Sequence, residues 1–132
     1  MGVNYLLDTH AVIWMTSRRR SIRPDLLDAL NHADSRVLVS AVSALEVTTK
    51  VRLGKLDDAR QLAERWAQSM LELGVIPVDL TAAHAIAAGQ LSWDHRDPFD
   101  RLLAAQAITD TFTLVTADPV FRSVPGLAVE PW

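Results

Sequence analysis

The chain has 132 residues, of which 49% are hydrophobic and none is cysteine. This size fits one globular domain with its own core, and the lack of cysteine excludes disulfides and thiolate metal sites and favours a reducing cytoplasm. The net charge of −3 excludes a generally basic nucleic-acid binder. No apolar run reaches the ~20 residues that a membrane span needs, so we expect a cytoplasmic protein with no membrane contact.

Short apolar segments alternate with helical segments along the whole chain. The apolar segments predict strands at residues 3–7, 37–40, 75–78, 112–116 and 127–130. The segments between them predict helices that start near residues 11, 24, 43, 57, 81 and 98. Strands that alternate with helices are typical of a parallel sheet covered on both faces. We therefore expect one three-layer α/β/α domain over residues 1–132, with a central, mainly parallel sheet of four to five strands.

Two helices in the first half carry recognisable start signals. Ser43 and Glu46 have the spacing of a capping box, which predicts a helix over residues 43–52. Asp57 or Asp58 is placed to cap a long amphipathic helix that ends at Gly74.

The most informative stretch is HRDPFDRLLAAQA, at residues 95–107. Asp97 is the expected N-cap of a helix, with Pro98 at its first position and Asp100 in its first turn. The apolar, alanine-rich remainder predicts a buried helix body. Two carboxylates and Arg101 are therefore expected at the N-terminus of a buried helix.

Four acids are expected at one edge of the predicted sheet. Asp8 follows the first strand, Glu46 lies near the start of the helix after the second, Asp100 opens the late helix and Asp118 follows the fourth strand. Ligands of open parallel sheets bind outside the carboxyl ends of the strands. Clustered carboxylates repel one another unless a cation neutralises them, and oxygen ligands suit Mg²⁺ or Mn²⁺. We therefore interpret the four acids as a site for a hard divalent cation.

Two threonines stand beside these acids in the sequence. Thr9 follows Asp8, and Thr116 precedes Asp118 by two residues. Hydroxyl groups often orient metal-binding carboxylates by hydrogen bonding to them. We therefore expect both threonines to support the acids.

Each acid also has a purely structural alternative. Glu46 would complete its capping box, Asp100 would suit a first helical turn, and Asp118 would cap a turn at Pro119. Asp8 is the hardest of the four to explain in this way, because only the short helical turn at residues 11–15 follows it.

Four segments, spread over nearly the whole chain, read LLDTHAVIW, SALEV, HRDPFDRLLAAQA and LVTADPVF. In sequence and in order they resemble the PIN-domain family, and within it the VapC-type toxins of prokaryotic toxin–antitoxin pairs. The resemblance implies a compact α/β/α domain with Mg²⁺- or Mn²⁺-dependent endoribonuclease activity on RNA phosphodiesters. It also implies a small antitoxin of the VapB type as partner, and a homodimer.

The resemblance assigns roles to individual residues. The family's acidic quartet and its hydroxyl position fall on Asp8, Glu46, Asp100, Asp118 and Thr116. Asp8 and Asp100 are the expected metal ligands, and Glu46 and Asp118 would complete the site or orient the attacking water. Asp97 stands close to the third position, either as the alternative to Asp100 or as its supporting neighbour.

Arginine outnumbers lysine eleven to two. The guanidinium group can contact phosphate oxygens through two hydrogen bonds at once. Contacts with RNA or with a partner are therefore expected at Arg18, Arg19, Arg20, Arg23 and Arg101. The alternative for the arginine run is a solvated loop.

Two other functions use the same residues. A phosphoacceptor receiver domain would accept a phosphoryl group on Asp8, but it would want an adjacent acid pair early in the chain and a lysine after a late strand. The only lysines here are Lys50 and Lys55. A non-catalytic RNA-binding module would bind RNA without the metal and without the acids.

Overall fold

The computed structural model describes residues 2–17 and 22–132. Its strands are β1 (Asn4–Leu7), β2 (Arg36–Ser40), β3 (Ile76–Val78), β4 (Thr113–Thr116) and β5 (Ala128–Pro131). Its α-helices are α1 (Thr9–Ser17), α2 (Pro24–Leu30), α3 (Ala41–Arg52), α4 (Arg60–Glu64), α5 (Trp66–Leu73), α6 (Ala82–Gln90) and α7 (Pro98–Asp110). Two 3₁₀ turns cover Asp57–Ala59 and Pro119–Ser123.

The five strands form one parallel sheet in the order β3-β2-β1-β4-β5. From β1, the chain first adds β2 and then β3 on one side of the sheet. It then crosses back over the sheet and adds β4 and β5 on the other side of β1. The order therefore reverses between β1 and β4, which is where open parallel sheets form a crevice.

Alternate residues of the central strands face opposite sides of the sheet. Leu6 is in register with Leu38 and Leu114, and this layer packs against α7. The next residues along the strands, Leu7, Val39 and Val115, join the cluster that contains α1, α2, α4 and α5. The predicted three-layer α/β/α fold is confirmed, because both faces of the sheet are covered by helices.

The predicted capping box at Ser43 and Glu46 is wrong. Helix α3 begins at Ala41, directly after β2, and its N-cap is Ser40, whose hydroxyl accepts from the Val42 amide at 3.1 Å. This earlier start moves Glu46 from the first helical turn into the second. The Ser43 hydroxyl hydrogen-bonds that of Thr9 instead, at 3.0 Å, and so ties α3 to α1.

The long helix predicted before Gly74 is also wrong in part. The segment is divided into a 3₁₀ turn, α4 and α5, with a break at Arg65, whose φ and ψ are −128° and 40°. Neither Asp57 nor Asp58 caps this 3₁₀ turn, because its N-cap is Leu56, without a side-chain bond. Leu62 and Met70, on either side of the break, are both buried in the same cluster. The expected end at Gly74 is confirmed, with φ of 70°.

The described part of the chain contains no helix with both the length and the apolar character needed to cross a bilayer.

Candidate active site

A cleft of about 280 Å³ lies at the carboxyl edge of the sheet, beside the reversal between β1 and β4. All four predicted acids line it. The full lining is Asp8, Thr9, His10, Glu46, Lys50, His95, Asp97, Asp100, Asp118 and Phe121. The acids come from the ends of two strands and the early turns of two helices, so the topology brings together residues that are distant in sequence.

Asp8 lies between β1 and α1 and is only 5% exposed. One carboxylate oxygen, Oδ1, accepts from the Ala11 amide at 2.7 Å, so Asp8 is also the side-chain cap of α1. Capping therefore explains Asp8 more readily than the sequence suggested, because α1 begins at Thr9 rather than at Ala11. Burial raises the pKa of Asp8 to about 6, although hydrogen bonds from Thr116 and Ala11 oppose this rise.

Thr116 connects two of the acids. Its buried hydroxyl hydrogen-bonds Asp8 and also accepts from the Asp118 amide at 3.1 Å. Asp118 is exposed, and its carboxylate accepts from the Val120 amide at 2.9 Å, which caps the 3₁₀ turn that follows. Thr9 behaves differently from the expectation, because its hydroxyl bonds Ser43 instead of an acid.

Glu46 is 3% exposed and forms an ion pair with Lys50, one turn further along α3. Burial lowers the pKa of Lys50, but the hydrogen bond and charge of Glu46 outweigh this effect, so the net shift is upward. A buried carboxylate is costly unless a cation compensates it, and Lys50 supplies part of that compensation.

Asp97 and Asp100 both face the cleft from the start of α7. Asp97 caps the helix by accepting from the amides of Phe99 and Asp100, at 2.9 and 3.4 Å. Oδ2 of Asp100 lies 2.7 Å from Nε2 of His95. Burial raises the pKa of Asp100, and the negative charges of Asp97 and Glu46 add to the rise, whereas the His95 hydrogen bond opposes it.

The donor set of the cleft fits a hard divalent cation. Ligand atoms of His95, Asp97 and Asp100 lie within 4.8 Å of one another. The carboxylates of Asp8 and Asp100 are ionised less readily than usual, because they are buried close to other negative charges. A cation among these oxygens would favour their ionised forms and relieve the repulsion.

The structure places the guanidinium of Arg101 among backbone carbonyls. Its guanidinium donates to the carbonyls of Ala88, Leu91, Trp93 and His95, at 2.6–3.0 Å. Its donors therefore hold the chain's own backbone. Arg23 is engaged in a similar way, because it bonds Asp25, Glu130 and the carbonyl of Pro131. Arg18, Arg19 and Arg20 lie outside the described residues.

Lys50 and His95 are site residues that the sequence interpretation missed. The Glu46–Lys50 spacing of four residues is a known ion-pair signal on helices, so Lys50 could have been found. His95 lies five residues before Asp100, across a helix cap, and this spacing has no regular geometry that would predict the contact.

Fold and site together define an α/β/α domain with a carboxylate-lined cleft at the carboxyl edge of its parallel sheet. The PIN domain family model matches residues 5–127. The chain belongs to the PIN-domain family.

Among curated proteins, the chain is similar to Ribonuclease VapC22 of Mycobacterium tuberculosis (strain ATCC 25618 / H37Rv). The two are 32% identical over 119 residues, which cover 89% of each chain. The structure is also similar to a chain of VapBC2 from Rickettsia felis bound to a DNA fragment from their promoter, with a TM-score of 0.75, 20% identity and coverage of 98% and 99%. FitAcB from Neisseria gonorrhoeae gives a TM-score of 0.62 at 27% identity, with 95% of both chains covered.

Proposed function

We propose that this protein is a Mg²⁺-dependent endoribonuclease, with Mn²⁺ as an alternative ion, and the toxin of a type II toxin–antitoxin pair. The observation that carries the proposal is the meeting of Asp8, Glu46, Asp100 and Asp118 in one cleft. Membership of the PIN-domain family and the 32% identity to a ribonuclease support it.

In this proposal, Asp8 and Asp100 are the direct ligands of the cation, and Glu46 and Asp118 complete the site or orient the attacking water. When bound, a divalent cation in such a site supplies a nucleophile at neutral pH and offsets the charge of the phosphodiester. A carboxylate oxygen of Asp97 lies within 4.8 Å of one of Asp100. Asp97 also accepts from the Asp100 amide, and this contact at the start of α7 supports the position of Asp100.

The chain's own contacts hold these carboxylates in fixed orientations. The Ala11 amide and the Thr116 hydroxyl fix Asp8, and His95 fixes Asp100. Lys50 holds Glu46 from within the same helix. Side chains that are already oriented lose less entropy when cation and substrate bind, which favours an efficient site.

The proposed partner is a small antitoxin of the VapB type, and the proposed assembly contains a homodimer of this chain. The similar structures, among them the VapBC2 complex of Rickettsia felis, support the antitoxin partner, and the homodimer rests on the resemblance to the VapC-type toxins. We expect expression of this chain alone to slow the growth of the host, and co-expression of its antitoxin to restore growth. An Asp100→Asn variant should be harmless at the same protein level. Equal toxicity of the variant would contradict the proposed link between the acids and toxicity.

The nuclease proposal is tested by incubating purified protein with total cellular RNA and mapping new ends. Cleavage should occur with Mg²⁺, stop in excess chelator and be lost in Asp100→Asn. The matched control is Asp57→Asn, which neutralises an exposed acid that lies 4.0 Å from Arg60 and does not line the cleft. Undiminished cleavage in chelator would overturn metal dependence, whereas RNA binding without new ends would support a non-catalytic module.

A further inference from the structure

A second cavity, of about 510 Å³, adjoins the acidic cleft and has a different chemical character. It is lined by Asp8, His10, Trp14, Ala117, Asp118 and Trp132. Three of these residues, Asp8, His10 and Asp118, also line the acidic cleft. An occupant of this indole cavity would therefore lie directly beside the carboxylates to which the phosphodiester chemistry is assigned.

Two indole rings form the apolar wall of the cavity. Trp14, on α1, and Trp132, after β5, have ring centroids 5.1 Å apart and ring planes inclined at 65°. Both side chains are partly buried against the core cluster. This packing restrains both rings, which lowers the ordering cost of a contact made on them.

We propose that the indole cavity binds the nucleobase next to the phosphate held at the acidic cleft, by stacking it on Trp132 and Trp14. The inference rests on the proposed ribonuclease function and extends it to a binding site for the substrate base. Single-stranded RNA is generally bound by aromatic side chains that stack on unpaired bases, while separate groups hold the backbone. The continuity of the two cavities places a base and its neighbouring phosphate in this arrangement.

The continuity also favours RNA over a protein side chain as occupant. A nucleotide has an aromatic base attached to a phosphate through one sugar, which matches an aromatic cavity that shares its rim with a cation site. An aromatic side chain of a protein partner would satisfy only the apolar part of this pair of cavities.

The test compares two probes of equal charge, hexacytidylate RNA and an abasic hexamer with the same sugar–phosphate backbone. Both carry a terminal fluorophore, and their Kd values are measured by anisotropy with Mg²⁺ in the Asp100→Asn background, in which we expect no cleavage. The base preference is the Kd of the abasic hexamer divided by that of hexacytidylate. Stacking of one base predicts a preference of roughly 5- to 150-fold.

Two variants change the cavity in different ways. Trp132→Leu removes one indole from its wall. Ala117→Leu places a larger side chain in the cavity from the exposed loop after β4 and keeps both indoles. Each should reduce the base preference toward one, with little effect on the Kd of the abasic hexamer. The matched control is Trp66→Phe, which alters an indole packed on the same core cluster but absent from the cavity lining, and should keep the preference.

Salt separates stacking from phosphate contacts. Raising ionic strength should weaken binding of both hexamers, because phosphate contacts depend on counterion release, but it should leave their ratio unchanged. A ratio near one in Asp100→Asn without a cavity substitution, or a ratio that survives both cavity variants, would overturn the inference. If the parent cleaves RNA and the ratio in Asp100→Asn is one, only the base site fails. If the parent does not cleave RNA and Asp100→Asn binds neither hexamer, the proposed function fails as well.

Discussion

Asp8 has two roles that the sequence interpretation treated as alternatives. Its carboxylate caps α1 through the Ala11 amide and also lines the acidic cleft. Asp97 and Asp118 likewise cap a helix or a 3₁₀ turn while they face the same cleft. These N-termini point toward the cleft, so their amides hold the carboxylates in place and offset part of their charge.

The raised pKa of Asp8 makes the stability of the metal-free protein depend on pH. Its ordinary value is 3.8 and burial raises it to about 6, so between these values the folded chain holds a proton that the unfolded chain releases. The free energy of unfolding should therefore fall as pH rises through this range, by roughly 2–4 kcal/mol from this group. Asp100, whose pKa is also raised, acts in the same direction.

Asp8→Asn should remove most of this dependence, because asparagine stays neutral and its amide oxygen can still cap α1. In chelator, at neutral pH, the variant should melt above the parent, and the difference should shrink below pH 4. Thermal melts across this range provide the measurement. A variant that melts below the parent at neutral pH would show that the buried charge does not strain the fold.

His95 is the clearest candidate for a residue that acts through an acid. Its ring hydrogen-bonds Asp100 and packs against Trp93 at 4.8 Å between centroids. His95→Phe would keep a ring there but remove the hydrogen bond, which should reduce cleavage by roughly 10- to 100-fold and weaken Mg²⁺ binding. The control is His32→Phe, since His32 is exposed and its Nδ1 accepts from the amide of Asp34 at 3.1 Å, away from the acids. Equal Mg²⁺ affinity and equal cleavage in His95→Phe would exclude this role.

At the scale of elements, Arg101 fixes the segment between α6 and α7. It lies in the first turn of α7, and its guanidinium bonds four carbonyls from Ala88 to His95. The same segment carries His95 into the cleft. Arg101, which the sequence interpretation assigned to contacts with RNA or a partner, therefore positions one wall of the site in the structure.

Arg101→Lys keeps the charge but cannot reproduce the planar set of donors. It should lower the free energy of unfolding by roughly 1–3 kcal/mol and reduce cleavage, because carbonyls of the segment lose their partners. The salt dependence of RNA binding should stay unchanged. Arg122→Lys, an exposed position on the second 3₁₀ turn, serves as the control. An unaltered melt together with a weaker salt dependence would restore the RNA-contact interpretation.

The predictability of each element depended on how local its signals are. The start of α7 followed from Asp97 and Pro98, and the end of α5 from Gly74, because each signal acts within a few residues. The start of α3 was misplaced because Ser40 and Ser43 are both plausible caps, and only the position of β2 decides between them. The break at Arg65 was not predictable, because no proline or glycine lies near it in the sequence.

At the scale of the whole molecule, the edge at which the four acids meet was predictable from a general property of parallel sheets. The side chains that hold the acids in place were harder to predict, since the path of the loop before α7 brings His95 to Asp100. The contacts of Arg101 and Arg23 within the chain were not predictable for a related reason. A sequence shows a cation but not the carbonyls and carboxylates that the fold places around it.

The arginine run at residues 18–20 remains the expected contact for RNA phosphates. Each contact with single-stranded RNA contributes about 0.7 to the slope of log affinity against log salt. Replacing Arg18, Arg19 and Arg20 with alanine should therefore reduce that slope by about 2 while Mg²⁺ binding stays the same. Titrations of an RNA oligonucleotide at several salt concentrations measure it. An unchanged slope would leave these residues as a solvated loop.

The central claim is that the four acids form one cation site, and Mg²⁺-dependent melting of the parent and Asp100→Asn tests it most directly. If the acids share a site, removing one charge relieves repulsion. The metal-free variant should then melt at or above the parent, gain much less stability from Mg²⁺ and fail to cleave RNA. A variant that melts lower without metal, gains as much from Mg²⁺ as the parent and cleaves RNA normally would contradict the account.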